Sequence, residues 1–193
     1  MALKTGNNTV YLSIVNGKLA RRVKQKTETS VTRVMKDQST VEEEIYRSIE
    51  GSIIGIDIKN HEEYGESLLV YLKDDRIYCI QMNMNSRYAT NFLKTLPNVD
   101  LEKVVEITPS EKIVDGKQDS TIFINQDGKA LKRHYTKDNP DGMPEPTFKK
   151  GKRGAPDTWD FEAVTEFLYE NVVVPFRDTL KEKAKGKGDD LPF

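Results

Sequence analysis

The chain has 193 residues and a formal net charge of -1, with 32% charged and 36% hydrophobic residues. This length favours one well-cored domain, and no apolar run is long enough to cross a membrane. With one cysteine, Cys79, and two histidines, the composition excludes an intrachain disulfide and argues against a Cys/His zinc site. The start contains no apolar signal segment, so we expect a protein of the reducing cytoplasm.

The charges are segregated along the chain. Lys18 to Lys36 holds seven basic residues and one acid, whereas Glu42 to Glu66 holds eight acids and two basic residues. If the basic segments share a face, that face would attract a phosphate backbone; alternatively, the excesses cancel on a mixed surface. Later basic clusters are Lys129, Lys132, Arg133 and Lys137, then Lys149, Lys150, Lys152 and Arg153.

Strand signals dominate the first half. Apolar residues alternate around the two-residue turn Asn16-Gly17, which predicts a hairpin with Val15 opposite Lys18 and Ser13 opposite Ala20. This register sets one face apolar for a core. The opposite face carries Tyr11, Lys18, Arg22 and Lys24.

Strand-rich composition continues over residues 27–35 and 45–58, where Gly51 and Gly55 suit a bulge or a bend around a barrel. A second hairpin is predicted from Ser67 to Met82 around Asp74-Asp75. A two-residue loop there would put Leu68, Val70, Leu72, Ile77 and Cys79 on the core face. It would also set Tyr71 opposite Tyr78 and Lys73 opposite Arg76, mixing rings with cations.

The later elements begin with one short helix, capped by Ser86 and stopped by Pro97. A strand around residues 104–107 follows, then a hairpin around Asp127-Gly128 that sets Phe123 opposite Lys132. This order predicts a mainly β protein with α: an OB-type barrel with extra hairpins, one short internal helix and a C-terminal helix. A sandwich is the alternative.

Residues 136–158 contain four prolines and a basic cluster, which predicts an irregular, flexible loop. Its cations Lys149, Lys150, Lys152 and Arg153 are expected to close over a bound strand, or else form a solvated loop. An apolar stripe then predicts a helix from about Asp157, kinked or broken before Pro175 and ending near Lys183. We therefore expect one domain over residues 1–183 and a flexible acidic tail over residues 184–193.

The chain ends in Asp189-Asp190-Leu191-Pro192-Phe193. Carboxylates beside an apolar pair suit a partner pocket with an apolar floor and a cationic rim. This ending resembles the tip of bacterial single-stranded DNA-binding proteins, and its short acidic run is closer to the tailed-phage type. The resemblance implies an OB fold that binds DNA while the tip recruits replication and repair enzymes. A frayed terminus and a ligand for another groove-binding domain are the alternatives.

Sequence-tolerant single-strand binding requires rings for base stacking and cations along the phosphates. The rings and cations therefore predict a single-stranded DNA-binding protein without cofactor or metal, with a homo-oligomer as one possible state, and the resemblance implies a role in DNA replication, recombination and repair. The alternative is an adaptor that docks through the tip without binding nucleic acid. For each ring, the alternative is a role in covering the barrel. The rings and cations proposed to touch DNA are Tyr11 with Arg22 and Lys24, Tyr71 and Tyr78 with Lys73 and Arg76, and Phe123 with Lys132.

Enzyme motifs are missing from the sequence. There is no GxxxxGK[ST] phosphate loop, no HExxH helix and no Gly-x-Ser-x-Gly elbow. Cys79 is predicted to face a core, and neither His61 nor His134 has an evident catalytic partner. Glu42-Glu43-Glu44 is expected to face solvent. We expect no enzymatic activity.

Overall fold

The computed structural model describes residues 9–35, 37–63, 65–151 and 156–187. Within these ranges the helices are α1 (Arg87–Thr95), α2 (Glu162–Leu168) and α3 (Val174–Lys187). The strands are β1 (Val10–Val15), β2 (Lys18–Val23), β3 (Ser30–Val34), β4 (Thr40–Tyr46), β5 (Ile49–His61), β6 (Gly65–Lys73), β7 (Ile77–Asn83), β8 (Val105–Val114), β9 (Lys117–Gln126), β10 (Lys129–Ala130), β11 (Thr147–Lys149) and β12 (Thr158–Asp160).

Strands β1 to β10 form one sheet in the order β10-β9-β8-β5-β6-β7-β1-β2-β4-β3. Neighbours run antiparallel, except that β1 pairs with β7 in parallel. The mainly β class with a C-terminal helix is confirmed. The hydrogen-bonded ladder has free ends at β10 and β3, so it does not close into a barrel. No helix of the described ranges is long and apolar enough to cross a membrane.

Strand β5 changes partner along its length. Its first three residues, Ile49 to Gly51, pair with β8, whereas the stretch from Ser52 onwards pairs with β6. The register shifts between Ile53 and Gly55, so the ladder is irregular where the sequence predicts a bulge or bend at Gly55. Beyond Gly51, α3 packs along β5, and Arg177 Nη1 lies 3.4 Å from Asp57 Oδ1. The helix thus covers β5 where β8 diverges from it.

The Asn16-Gly17 turn behaves as the sequence predicts. Both residues have positive φ, as a two-residue type I′ hairpin requires, and Val15 pairs with Lys18. A side chain at Gly17 would clash with the backbone nitrogen of Glu111 in β8. The sheet therefore curls until the β1–β2 turn packs against β8.

The β6–β7 hairpin differs from the prediction by one residue. Lys73 pairs with Ile77, Leu72 with Tyr78 and Tyr71 with Cys79, so the loop has three residues rather than two. The predicted pairing of Tyr71 with Tyr78 and of Lys73 with Arg76 is therefore wrong. A one-residue shift exchanges the two faces of a strand. The observed register buries Ile80 and Met82 with Leu72 in the main core, and that burial favours it.

Helices α1 and α2 cover the inner face of the curled sheet. Ser86 Oγ accepts a hydrogen bond from the Ala89 amide at 3.1 Å, as the predicted cap requires, and Phe92 and Leu93 are buried. The C-terminal helix is not broken. A π-helical turn, Tyr169–Val173, joins α2 to α3, and the Val174 amide bonds to the Tyr169 carbonyl. This wider turn accommodates Pro175, which has no amide hydrogen to donate.

Three further predictions need correction. Helix α3 continues to Lys187, beyond the predicted end at Lys183, so the first residues of the predicted tail are helical. Residues 136–158 are not wholly irregular, because β11 pairs with β12. Glu43 does not face solvent: it is 2% exposed and accepts bonds from Arg33 Nε at 2.7 Å and Nη2 at 2.6 Å.

We expect Tyr71→Ala to lower the free energy of unfolding by about 3–5 kcal/mol, because the ring is buried against Leu69 and Cys79. Tyr11→Ala is the matched control: Tyr11 is 56% exposed, so its loss should cost less than about 1 kcal/mol. Urea unfolding measures both values. Equal costs for the two variants would contradict the observed register.

Hydrogen bonds from Arg33 hold the pKa of Glu43 below its ordinary value of 4.5. The stabilisation is therefore complete above that value and is lost as pH falls through the lowered pKa. Glu43→Gln should cost about 1–2 kcal/mol at neutral pH, a figure reduced because Arg33 is 32% exposed. The difference from wild type should shrink below pH 4.5 in urea titrations. Glu28→Gln, at an exposed site, should show no such trend, and a pH-independent Glu43→Gln difference would refute the assignment.

Candidate nucleic-acid interface

Several predicted DNA-binding residues lie on the outer face of the sheet, opposite the main core. Tyr11, Cys79 and Tyr71 form one row across β1, β7 and β6. Tyr11 is exposed, but Tyr71 is 6% exposed and cannot offer its ring to a base. Arg22 lies opposite Glu43 in β4. Lys24 and Lys73 are exposed, so this face offers cations but, of Tyr11 and Tyr71, only the Tyr11 ring is accessible.

Arg76 and Tyr78 lie at one end of the sheet, beside a cavity of about 360 Å³ that Tyr46 and Arg21 also line. Tyr78 Oη donates to Asp75 at 2.9 Å, and Arg76 Nε donates to the same carboxylate at 3.1 Å. Burial, helped by Asp75, raises the pKa of Tyr78. Both groups are thus engaged within the protein, which weakens this cavity as a phosphate site.

Phe123 does not face Lys132. Phe123 pairs with Thr108 of β8 on one side, and on its other side β10 ends at Ala130 and the chain leaves the ladder soon afterwards. The Phe123 ring is 46% exposed and lines a groove of about 470 Å³ together with Lys18 and Arg47. Neither cation forms an ion pair within the described ranges, although Glu106 also lines the groove, so this is a second candidate ring-and-cation site.

The predicted clamp is described in part. Lys149 Nζ lies 2.6 Å from Asp160 Oδ2, so this cation is paired within the protein. Lys150 is exposed. Lys152 and Arg153 lie outside the described residues, as does the tip, Asp189, Asp190, Leu191, Pro192 and Phe193. Closure over DNA and docking by the tip stay predictions.

The richest combination of rings and cations is one that sequence reasoning missed. A groove of about 600 Å³, here called the basic groove, lies between α1, residues 136–146 and β12. The side chains that define it are Arg87, Lys94, Lys137, Met143, Trp159 and Phe161. The Trp159 side chain is 59% exposed and that of Phe161 47%, and Glu145 is the single acid of its described lining.

The two rings are held by the β11–β12 pair and by the start of α2. Trp159 pairs with Phe148, and the two ring centroids lie 5.1 Å apart in an edge arrangement. Asp160, between the two rings in sequence, binds Lys149 and accepts from the Glu162 amide at 2.9 Å. These contacts fix the backbone that presents Trp159 and Phe161.

The cations of the basic groove differ in their surroundings, and Arg87 is partly neutralised because its Nη1 lies 3.5 Å from Asp119 Oδ1. Lys94 is half-buried, and burial, with the nearby Arg133 charge, lowers its pKa. Arg133 Nη2 donates to Thr121 Oγ1 at 3.2 Å, and Arg87 Nη1 donates to the Gln118 carbonyl at 3.2 Å. Because neighbouring cations repel, an anion placed here would be favoured. The groove therefore suits a chain of phosphates beside stacked bases.

Two sequence signals could have located more of this site. The chain has one tryptophan, Trp159, and it lies in a segment rich in proline and basic residues. The second signal is Asp115-Gly116, a turn dipeptide from which no hairpin was predicted. It forms the β8–β9 turn, where both residues have positive φ. Strands β8 and β9 are therefore longer than predicted, and β9 carries contacts to Arg87 and Arg133.

Within the described ranges, no group of three or more His, Cys, Asp or Glu side chains is arranged to hold a metal ion. No protein-family model, curated protein or solved structure matches this chain.

Proposed function

We propose that this chain is a sequence-tolerant single-stranded DNA-binding protein, and that the basic groove holds the strand. Trp159 and Phe161 stack on bases, while Arg87, Lys94 and Lys137 contact phosphates. The observation that carries the proposal is the meeting of two half-exposed rings and three cations in one groove. Its role would be to bind and protect single strands in DNA replication, recombination and repair, as the phage-type tip also suggests.

The chemistry of the groove favours tolerance of sequence. Its lining consists mainly of rings, cations, prolines and Met143, and besides the cations only Thr136 and Glu145 of the described lining carry polar side chains that suit base edges. Every base has a face that can stack on an aromatic ring, at about 1–3 kcal/mol per base. Cations attract phosphates of any sequence. The strand would therefore be bound through features that all sequences share.

We also propose that the curled sheet is a variant of the OB-type fold. This is supported by the packing of the Gly17 turn against β8 and by the strand-helix-strand order. The proposal also includes recruitment of replication and repair proteins by the tip. The order of residues in the tip favours a second candidate, an adaptor that docks on partners without binding nucleic acid.

Titration with oligo-dT separates the two candidates. Trp159 is the single tryptophan, so the tryptophan fluorescence of the protein reports on this ring alone. Stacking of a base on the ring should quench that fluorescence. Counterion release should give a log-log salt slope of roughly -2 if three phosphates are neutralised, at about -0.7 each. Absence of saturable binding at low salt would reject DNA binding and leave the adaptor.

A pair of variants tests the groove itself. Trp159→Ala should weaken binding of a labelled oligo-dT by roughly tenfold to a hundredfold, the loss of one stacked base, measured by fluorescence anisotropy. Tyr11→Ala removes a ring of similar exposure on the outer face and should leave the affinity unchanged. If Tyr11→Ala weakened oligo-dT binding and Trp159→Ala did not, the DNA would bind on the outer face of the sheet instead of in the basic groove.

A further inference from the structure

A second cleft lies beside the same two rings. Its volume is about 950 Å³, and it separates α2 from the paired ends of β5 and β6. Trp159 and Phe161 line both this cleft and the basic groove. We call it the acidic cleft and define it by Glu66, Glu162, Glu166, Trp159, Phe161 and Tyr169.

The charge of the acidic cleft is opposite to that of the basic groove. No lysine or arginine is among its described lining residues. Asp160 is paired with Lys149, but Glu66, Glu162 and Glu166 form no ion pair among the described residues. A phosphate backbone would be repelled here, so the cleft does not extend the DNA site.

The walls of the cleft are aromatic as well as acidic. Tyr169 is 37% exposed, and the more exposed Trp159 and Phe161 stand beside it; Met84 and Ile58 add apolar surface. Ring faces attract cations, and arginine in particular stacks on them while its guanidinium binds carboxylates in a fork. Rings and carboxylates together therefore select arginine or lysine over a metal ion.

Helix α2 sets two of these carboxylates on the side that faces the cleft. Glu162 and Glu166 are four residues apart on this helix, and Tyr169 continues the same stripe. Like charges at this spacing destabilise a helix. A cation bound between the two carboxylates would remove that repulsion.

We propose that the acidic cleft binds a cationic peptide segment of a partner protein, with arginine or lysine side chains between the carboxylates and against the rings. This interaction is distinct from DNA binding and from recruitment through the tip. It requires no nucleic acid. The ridge formed by Trp159 and Phe161 then separates a nucleic-acid groove from a peptide cleft.

The probe is a fluorescein-labelled peptide of alternating Arg and Ala, titrated by anisotropy at low salt, with a Glu/Ala peptide as a negative control. The triple variant Glu66→Gln, Glu162→Gln, Glu166→Gln should lose about tenfold or more in affinity. The matched triple is Glu28→Gln, Asp178→Asn, Glu182→Gln, which removes the same charge from exposed sites elsewhere and should change affinity by less than about twofold. Tyr169→Ala should also weaken binding, because a ring face is lost.

Equal losses in the two triple variants, or no saturable binding by wild type, would overturn the proposal. Self-association in sedimentation velocity that the cleft triple abolishes would assign the cleft to a second copy of the chain and overturn the choice of partner. The cleft triple should retain oligo-dT binding. Peptide binding without oligo-dT binding would reject the DNA proposal alone.

Discussion

The bend of β5 is the constraint on which the rest of the structure depends. One strand pairs with β8 at its start and with β6 afterwards, so the sheet divides at Gly51. A side chain at Gly51 would meet the Lys73 carbonyl at 3.0 Å, so the close approach of β5 and β6 favours glycine. Beyond this point α3 packs against β5, and the β8–β9 hairpin packs against α1. Contacts from Arg87 and Arg133 to β9 then fix one wall of the basic groove.

The basic groove and the acidic cleft place opposite charges on either side of the aromatic ridge. The net charge of -1 conceals this arrangement, because it averages a basic groove with an acidic cleft. The ridge consists of Trp159 and Phe161, and it is fixed by the Lys149–Asp160 pair and the Phe148 ring. Exposed aromatic rings cost little when they are few. Here Trp159 and Phe161 lie between the basic groove and the acidic cleft, and their rings take part in both proposed interactions, with DNA on one side and a cationic peptide on the other.

The sequence predicted the local structure where the chemistry of a turn or a cap is unambiguous. Asn16-Gly17 and the Ser86 cap are such cases. It failed at Asp74-Asp75, because no turn chemistry fixed the loop length and the burial of Ile80 and Met82 decided the register. It also failed for Trp159, since short strands such as β11 and β12 leave no periodic signal. The groove joins residues from 87 to 161, and such proximity follows from the tertiary fold alone.

The central claim is that single-stranded DNA binds in the basic groove, and mapping the residues that contact the DNA tests it most directly. Oligonucleotides carrying 5-iodouracil, irradiated in complex with the full chain and analysed by mass spectrometry, report the side chains that stack on bases. We expect crosslinks at Trp159 and Phe161 whose yield falls when unlabelled oligo-dT is added and when salt is raised. Crosslinks confined to Tyr11 or Phe123, with none in the basic groove, would contradict it.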